Sequence, residues 1–174
     1  MAKWCSCRRL CYQTDFASGE VSVLPDARAD FLTRPPAFEA GAGARGLVST
    51  ADDLAFGRMM LNSGVYRKER ILSRPSVELM ITDHLTPEQK AASPFFENFW
   101  DSRGWGFGLS IVTRRVEVAG PGRFGWDGAF SVSWYVDRHE DMVGILMAQV
   151  RPGALRLPPL VLDFWTAVYQ AIDD

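Results

Sequence analysis

The sequence predicts an α+β fold, an antiparallel sheet covered by helices, and three observations carry that expectation. Capped helix starts crowd residues 41–100, alternating or apolar strand-like runs crowd 101–150, and one amphipathic stretch closes the chain. Helices followed by hairpin-spaced strands belong to segregated α and β parts, not to alternating β-α-β units. With 174 residues, 47% of them hydrophobic, the chain can build a core of its own. It is therefore read as one domain, or a large piece of one, over 1–174. Residues 1–40 form an irregular segment, 41–100 a loop and helices, and 101–174 the strands and a final helix.

Residues 1–40 show no sustained periodicity. "GAGARG" (Gly41 to Gly46) spells G-x-G-x-x-G, but a dinucleotide site needs a buried strand before it and a helix opening on it. Pro35-Pro36-Ala37-Phe38 makes a poor strand, so the stretch reads as a loop. "STADDLAFGRMMLNSG" is the first helix, with Ser49 or Thr50 as N-cap, Asp52 and Asp53 in the first turn and Gly64 as the stop. Phe56, Met59 and Met60 recur on one face, and Leu54 and Leu61 lie a heptad apart on another. A helix buried on two sides follows, with Arg58 reaching solvent.

Ser73 caps a second helix with Pro75 in its first turn. Thr86 and Gln89 have the spacing of a capping box at the start of a third. Strands are expected over 106–118, over a short run ending in "GWDG", over 131–137 and over 142–150, with a turn from Asp137 to Asp141. From Pro159 the chain reads as an amphipathic helix. Leu160, Phe164, Val168 and Ile172 recur there at i, i+4, flanked by Val161 and Trp165.

The charge balance excludes several functions. Nineteen Lys and Arg against 21 Asp and Glu leave a net charge of −2, with no basic block to grip nucleic acid or an anionic membrane. No apolar run approaches the ~20 residues of a membrane span. "MAKWCSCRRLCYQ" has basic residues but no apolar signal core, so a cytoplasmic location is expected. Cys5, Cys7 and Cys11 could contribute to a metal site, yet a structural zinc needs four ligands, and His84 and His139 are distant in sequence. Reduced thiols are the simpler reading, and no metal or cofactor is expected. His84 and His139 read as solvated surface residues, and Glu140 with Asp141 as a turn. No G-x-S-x-G, H-E-x-x-H, phosphate-binding or calcium loop occurs.

"AFEAGAGARGLVSTADDLAFGRMMLNSGVYRKERILSRPSVELMITDHLTPEQ", followed by "GWGFGLSIV", "GRFGWDG" and "WYVDRHEDMVGILMAQ", resembles the middle-to-late part of the serine β-lactamase-like hydrolases. That family includes class C β-lactamases, D-aminopeptidases or DD-peptidases, and related esterases. The resemblance covers residues 33–150 closely, plus the final helix, and implies a partial β-lactamase/transpeptidase-like fold. Trp126, Asp127 and Gly128 fall on the family's Lys-Thr-Gly motif, which begins with Trp or His in esterase-like branches.

The resemblance thus implies a substrate-binding wall of Trp126, Asp127, Gly128 and Ala129. Gly128 would let substrate approach the strand, and the Ala129 N–H would be an oxyanion donor. Trp126 would replace the cation that grips a carboxylate, which favours an uncharged ester or amide. The residues alone also permit Trp126 to be a core aromatic beside a hairpin turn. Relatives with this motif continue with Gly, then Gly-Thr two positions on. Here Ala129, Phe130, Ser131 and Val132 make a bulkier turn.

Two family motifs are missing. The nucleophile is the Ser of Ser-x-x-Lys, activated by a lysine one helical turn on, but Lys68 and Lys90 have Val65 and Pro87 three positions before them, and Lys3 has no such residue. Tyr-x-Asn or Tyr-x-Ser is also absent: Tyr12, Tyr66, Tyr135 and Tyr169 are followed two on by Thr14, Lys68, Asp137 and Ala171. The chain is therefore expected to be the C-terminal part of such a hydrolase, inactive alone. It would take a small-molecule ester or amide once completed by an N-terminal half. The alternative is a noncatalytic binding module built around Trp126. Self-association is expected through 142–150, an apolar strand whose family neighbour comes from the N-terminal part.

Overall fold

In the computed structural model, which describes residues 12–15, 18–23, 55–93, 95–115, 117–128, 131–148, 150–152 and 157–173, the helices stop and start at their capping residues. Helix α1 (Ala55–Leu61) ends at Gly64, whose N–H donates to the Met59 carbonyl at 2.8 Å with φ +92°. A Cβ there would collide with the Leu72 carbonyl. The expected caps Ser49 and Thr50, with Leu54, lie outside the described residues.

One correction concerns which side of α1 is inside. Gly57, Met59 and Met60 are buried, while Phe56 is exposed and only leans edge-on against Trp134 at 6.0 Å. Gly57 is what brings the helix close: a Cβ on it would stand 3.0 Å from Val143 Cγ1.

A two-residue hairpin, β3 (Val65–Tyr66) with β4 (Glu69–Arg70), leads to α2 (Arg74–Met80). Ser73 Oγ accepts from the Ser76 N–H at 3.1 Å. Helix α3 (Pro87–Ala92) opens with a complete capping box: Gln89 N–H donates to Thr86 Oγ1 at 3.3 Å and Thr86 N–H to Gln89 Oε1 at 2.9 Å.

The main sheet is antiparallel in chain order: β5 (Arg103–Trp105), β6 (Ser110–Val112), β7 (Phe124–Asp127), β8 (Ser133–Asp137) and β9 (Met142–Leu146). The expected single strand over 106–118 is corrected. Gly106 N–H bonds the Leu109 carbonyl at 2.8 Å, and Gly108 takes φ +75°, so the chain reverses there. Gly106 also lies against the Met80 carbonyl with no room for a Cβ.

The expected strand over 142–150 is likewise two elements. β9 ends at Leu146. Then β10 (Val150–Pro152) pairs in parallel with β1 (Tyr12–Thr14), which pairs antiparallel with β2 (Val21–Val23). Ser131 Oγ holds the Val150 carbonyl at 2.6 Å and anchors the departure. The segment read as irregular therefore contains a short hairpin.

Strand alternation divides the core in two. Phe124 and Val136 face α1 and α2, where Met59, Met60, Val77, Leu109 and Ile111 complete an apolar cluster. On the opposite face Tyr135 packs with Val161 and Trp165 of α4 (Pro159–Gln170). Of the expected stripe, Leu160 is 46% exposed, while Phe164 and Val168 pack partly buried at the edge of this cluster; the residues α4 buries fully are Val161 and Trp165, 1% and 5% exposed. The Trp165 indole sets the rotation of the helix by filling the space over Gly144, where a Cβ would stand 2.6 Å from Cη2. Among the described residues no helix is long and apolar enough to cross a membrane.

Candidate functional site

Strand β7 sends Trp126 and Asp127 to opposite faces of the sheet, because successive side chains alternate. Asp127 turns toward α4. Its Oδ1 accepts from Ser133 Oγ and its Oδ2 from the Tyr135 hydroxyl at 2.6 Å. Ser133 lies directly opposite it in the β7–β8 register. Trp165 Nε1 donates in turn to Ser133 Oγ at 2.8 Å, tying the helix to the end of the strand.

Arg123 closes the cluster. Its guanidinium lies 3.9 Å from the ring centres of both Tyr135 and Trp165 and 5.6 Å from that of Tyr169, at 2% exposure. Its Nε and Nη2 have no hydrogen-bond partner among the described residues. Burial pulls its pKa below the usual arginine value, against the opposing pull of the Tyr169 and Tyr135 phenols. Burial pushes the Tyr135 phenol well above 10, and the Asp127 charge adds to it. Tyr169, which donates to Asp137 Oδ2 at 2.6 Å, is raised by burial and by that bond.

Trp126 belongs to a different neighbourhood. Half-buried, it meets Trp105 edge-on at 4.9 Å between ring centres and Phe95 at 5.7 Å. Phe95 touches Phe96 at 4.3 Å and Phe99 at 5.2 Å, and Phe99 touches Trp100 at 4.8 Å. Lys90 Nζ lies 5.9 Å from the Trp100 ring at the end of this run. Its ammonium is engaged by Asp83 Oδ2 at 2.5 Å and the Arg103 carbonyl at 3.4 Å. Burial raises the Asp83 carboxyl, but the Lys90 bond and the Trp105 and Leu85 N–H groups outweigh it and leave the pKa below the ordinary value.

Gly128 is occupied by the turn: its N–H donates to the Val132 carbonyl at 2.6 Å, and its carbonyl accepts from Ser131 N–H at 3.1 Å. Ala129 and Phe130 lie outside the described residues. The three expected wall residues that are described therefore do not converge on one spot. Trp126 is presented on one face, Asp127 is spent on the other, and Gly128 closes the hairpin between β7 and β8.

His84 is not merely solvated. Its Nε2 hydrogen-bonds the Leu79 carbonyl at 2.7 Å, and its ring stacks on Phe107 at 4.7 Å. His139 is exposed, with Nδ1 3.0 Å from Glu140 Oε1. Cys5, Cys7 and Cys11 lie outside the described residues, among which no three His, Cys, Asp or Glu gather as metal ligands. A shallow depression of about 330 Å³, lined by Ile81, Pro121, Gly122, Arg138 and His139, sits at the opposite end of β7 and β8 from Trp126.

Sequence reasoning missed two groups. The aromatics at 95–100 form no period, so they gave no element signal. The Ser133, Tyr135, Asp137 alternation was visible, and it marks a polar inner face.

The arrangement defines a class: the Beta-lactamase family model matches residues 11–160, and the chain belongs to that family. It is similar, at 42% identity over 125 residues, to "Protein Rv1367c" of Mycobacterium tuberculosis strain H37Rv and to "Uncharacterized protein MT1414" of strain CDC 1551. Each match covers 68% of this chain and 31% of the relative, so the chain spans about a third of their length.

Among solved structures, the simvastatin synthase LovD from Aspergillus terreus superposes with a TM-score of 0.65 at 17% identity, over 96% of this chain and 44% of that one. EstCE1, a hydrolase with promiscuous acyltransferase activity, gives 0.58 at 19% identity, over 82% and 38%. A penicillin-binding protein homologue from Caulobacter crescentus gives 0.55 at 17% identity, over 71% and 32%. These likenesses show the fold, an antiparallel sheet with covering helices that makes up part of each neighbour.

Proposed function

We propose that this chain is the C-terminal part of a serine hydrolase that cleaves esters or amides through an acyl-enzyme, and that it supplies one wall of the site without the nucleophile. The observation that carries this is Trp126, half-exposed at the end of β7, where the nearest cation contact on its aromatic run among the described residues, Lys90, is held by Asp83. With that ammonium already paired, a substrate carboxylate gains little from the described residues, and an uncharged ester or amide fits better. The names of two neighbours, a synthase and a hydrolase with acyltransferase activity, support acyl transfer as the chemistry.

In this reading the serine and its activating lysine come from an N-terminal portion, and the Ala129 N–H donates to the oxyanion. Asp127 acts as a positioning residue, since both its oxygens are held by β8. The lack of Ser-x-x-Lys favours one competing reading, a binding module that holds a ligand at Trp126 and performs no chemistry. We also propose that copies pair through β9, one of the two edge strands of its sheet among the described residues. A concentration-independent monomer by light scattering would exclude that.

The test of the main reading uses chromogenic esters with the isolated chain, and with a chimera in which this chain replaces the matched part of Rv1367c. Hydrolysis is expected from the chimera and none above background from the isolated chain. Stoichiometric fluorophosphonate labelling of a serine in the isolated chain would overturn its inactivity. A folded chimera that cleaves no ester would leave the binding-module reading.

A further inference from the structure

Six aromatic side chains make a continuous run through ring contacts: Trp100, Phe99, Phe96, Phe95, Trp126 and Trp105. The run leaves the candidate wall at Trp126 and extends over the segment after α3. Its rings are not core. Phe95 is 47% exposed, and Phe96, Phe99, Trp100, Trp105 and Trp126 are each only partly covered. A chain that leaves six joined rings partly open to water presents them to something.

The electrostatics narrow the choice. Aromatic faces are negative, so they suit a cation or a neutral apolar group and repel an anion. The neighbouring Lys90 could have recruited an anion, but Asp83 neutralises it at 2.5 Å. The tilted and edge-on ring pairs, at 5.7 and 4.9 Å on either side of Trp126, leave a stepped surface that a planar group can stack on.

We propose that the Phe95–Trp126 run is a subsite for the aromatic portion of a neutral ester or amide, set beside the wall where the reacting bond would lie. This rests on the acyl-transfer reading for the identity of the bond, but the stacking itself needs no chemistry. It refines the substrate class. One side of the scissile group is a flat, uncharged aromatic moiety, and an anionic β-lactam is a poor fit.

The experiment is calorimetric titration of the 174-residue chain with benzyl butyrate, ethyl butyrate and benzylpenicillin. Benzyl butyrate is expected to bind saturably, about tenfold more tightly than either of the others, the gain from one buried aromatic stack. Phe95→Ala and Trp126→Ala should each weaken it about tenfold. Phe107→Ala, an exposed aromatic outside the run, should leave it unchanged. Thermal unfolding checks that each variant folds, and Phe95→Leu serves as the second variant, keeping apolar bulk without a ring.

No saturable heat from benzyl butyrate, equal binding of benzylpenicillin, or insensitivity to both Phe95 variants would overturn the subsite. The chimera separates the two proposals. Ester cleavage indifferent to Phe95→Leu removes the subsite and keeps the hydrolase. Stacking without cleavage removes the hydrolase and keeps the subsite.

Discussion

The two faces of the five-stranded sheet are both buried, but they are held in different ways. Toward α1 and α2 the contacts are apolar throughout: Met60, Val77, Phe124 and Val136 are wholly enclosed. Toward α4 the same strands offer Asp127, Ser133, Tyr135 and Arg123, joined by hydrogen bonds and by a cation between two rings. One strand serves both, since β8 alternates Ser133, Tyr135 and Asp137 with Trp134 and Val136. The first face is bound by area and is sensitive to volume. The second is bound by direction and is sensitive to the loss of a single partner.

The largest effect should come from the apolar face. Phe124→Ala removes a fully buried ring and should cost about 3–5 kcal/mol in denaturant unfolding. A cost below that of any change on the α4 face would break the contrast. Asp127→Asn comes next, at about 1.5–3 kcal/mol, because it removes the charge that two hydroxyls donate to. The same variant should lower the Tyr135 phenol toward its ordinary value, which ultraviolet titration reads directly.

Alkaline pH sharpens the contrast further. Tyr135 and Tyr169 titrate above 10 in the folded chain, so the unfolded chain loses these protons first. The stability they contribute is intact below about pH 10 and is lost as pH rises through their folded values. Melting temperature should therefore hold steady from neutral pH to the unfolded tyrosine range and fall above it, with a shallower fall in Tyr135→Phe with Tyr169→Phe. An unchanged slope would mean that the α4 face does not depend on its phenols.

The smallest effect belongs to neither face. Asp83→Asn beside Lys90 should cost about 1 kcal/mol or less, since both side chains keep some solvent. Its contribution is present above the ordinary carboxylate value and is lost as pH falls through the depressed one. Acid melts of wild type and variant should converge.

What could be read from the sequence was local. The caps at Ser73 and at Thr86 with Gln89, the stop at Gly64, and the turn between β8 and β9 follow from neighbouring residues, and the structure has them all. The order of helix starts, strand runs and closing helix was enough for the α+β class, and the family likeness added the partial β-lactamase-like fold. What could not be read depended on distant partners. The rotation of α4 places Trp165 over Gly144, so that Val161 and Trp165 are buried most deeply and Phe164 and Val168 of the stripe flank them. The break at Gly106 answers to Met80, 26 positions earlier in the chain. Asp127 was assigned to substrate with its motif, yet its partners are contributed by β8, and only the register reveals them. The aromatics at 95–100 have no period to detect. Their meaning comes from standing next to Trp126.

The crossed indoles of Trp105 and Trp126 have an optical consequence. Two such chromophores 4.9 Å apart, with ring planes at 83°, couple their excited states. A coupled pair adds a two-signed band to the circular dichroism spectrum, distinct from the backbone signal and abolished by replacing either ring. The proposed wall therefore carries its own label. A ligand that wedges between Phe95 and Trp126, or a companion segment that reseats β7, would alter the shape of that band without any dye attached. The assembly of a complete site could be followed in real time by the light this one pair absorbs.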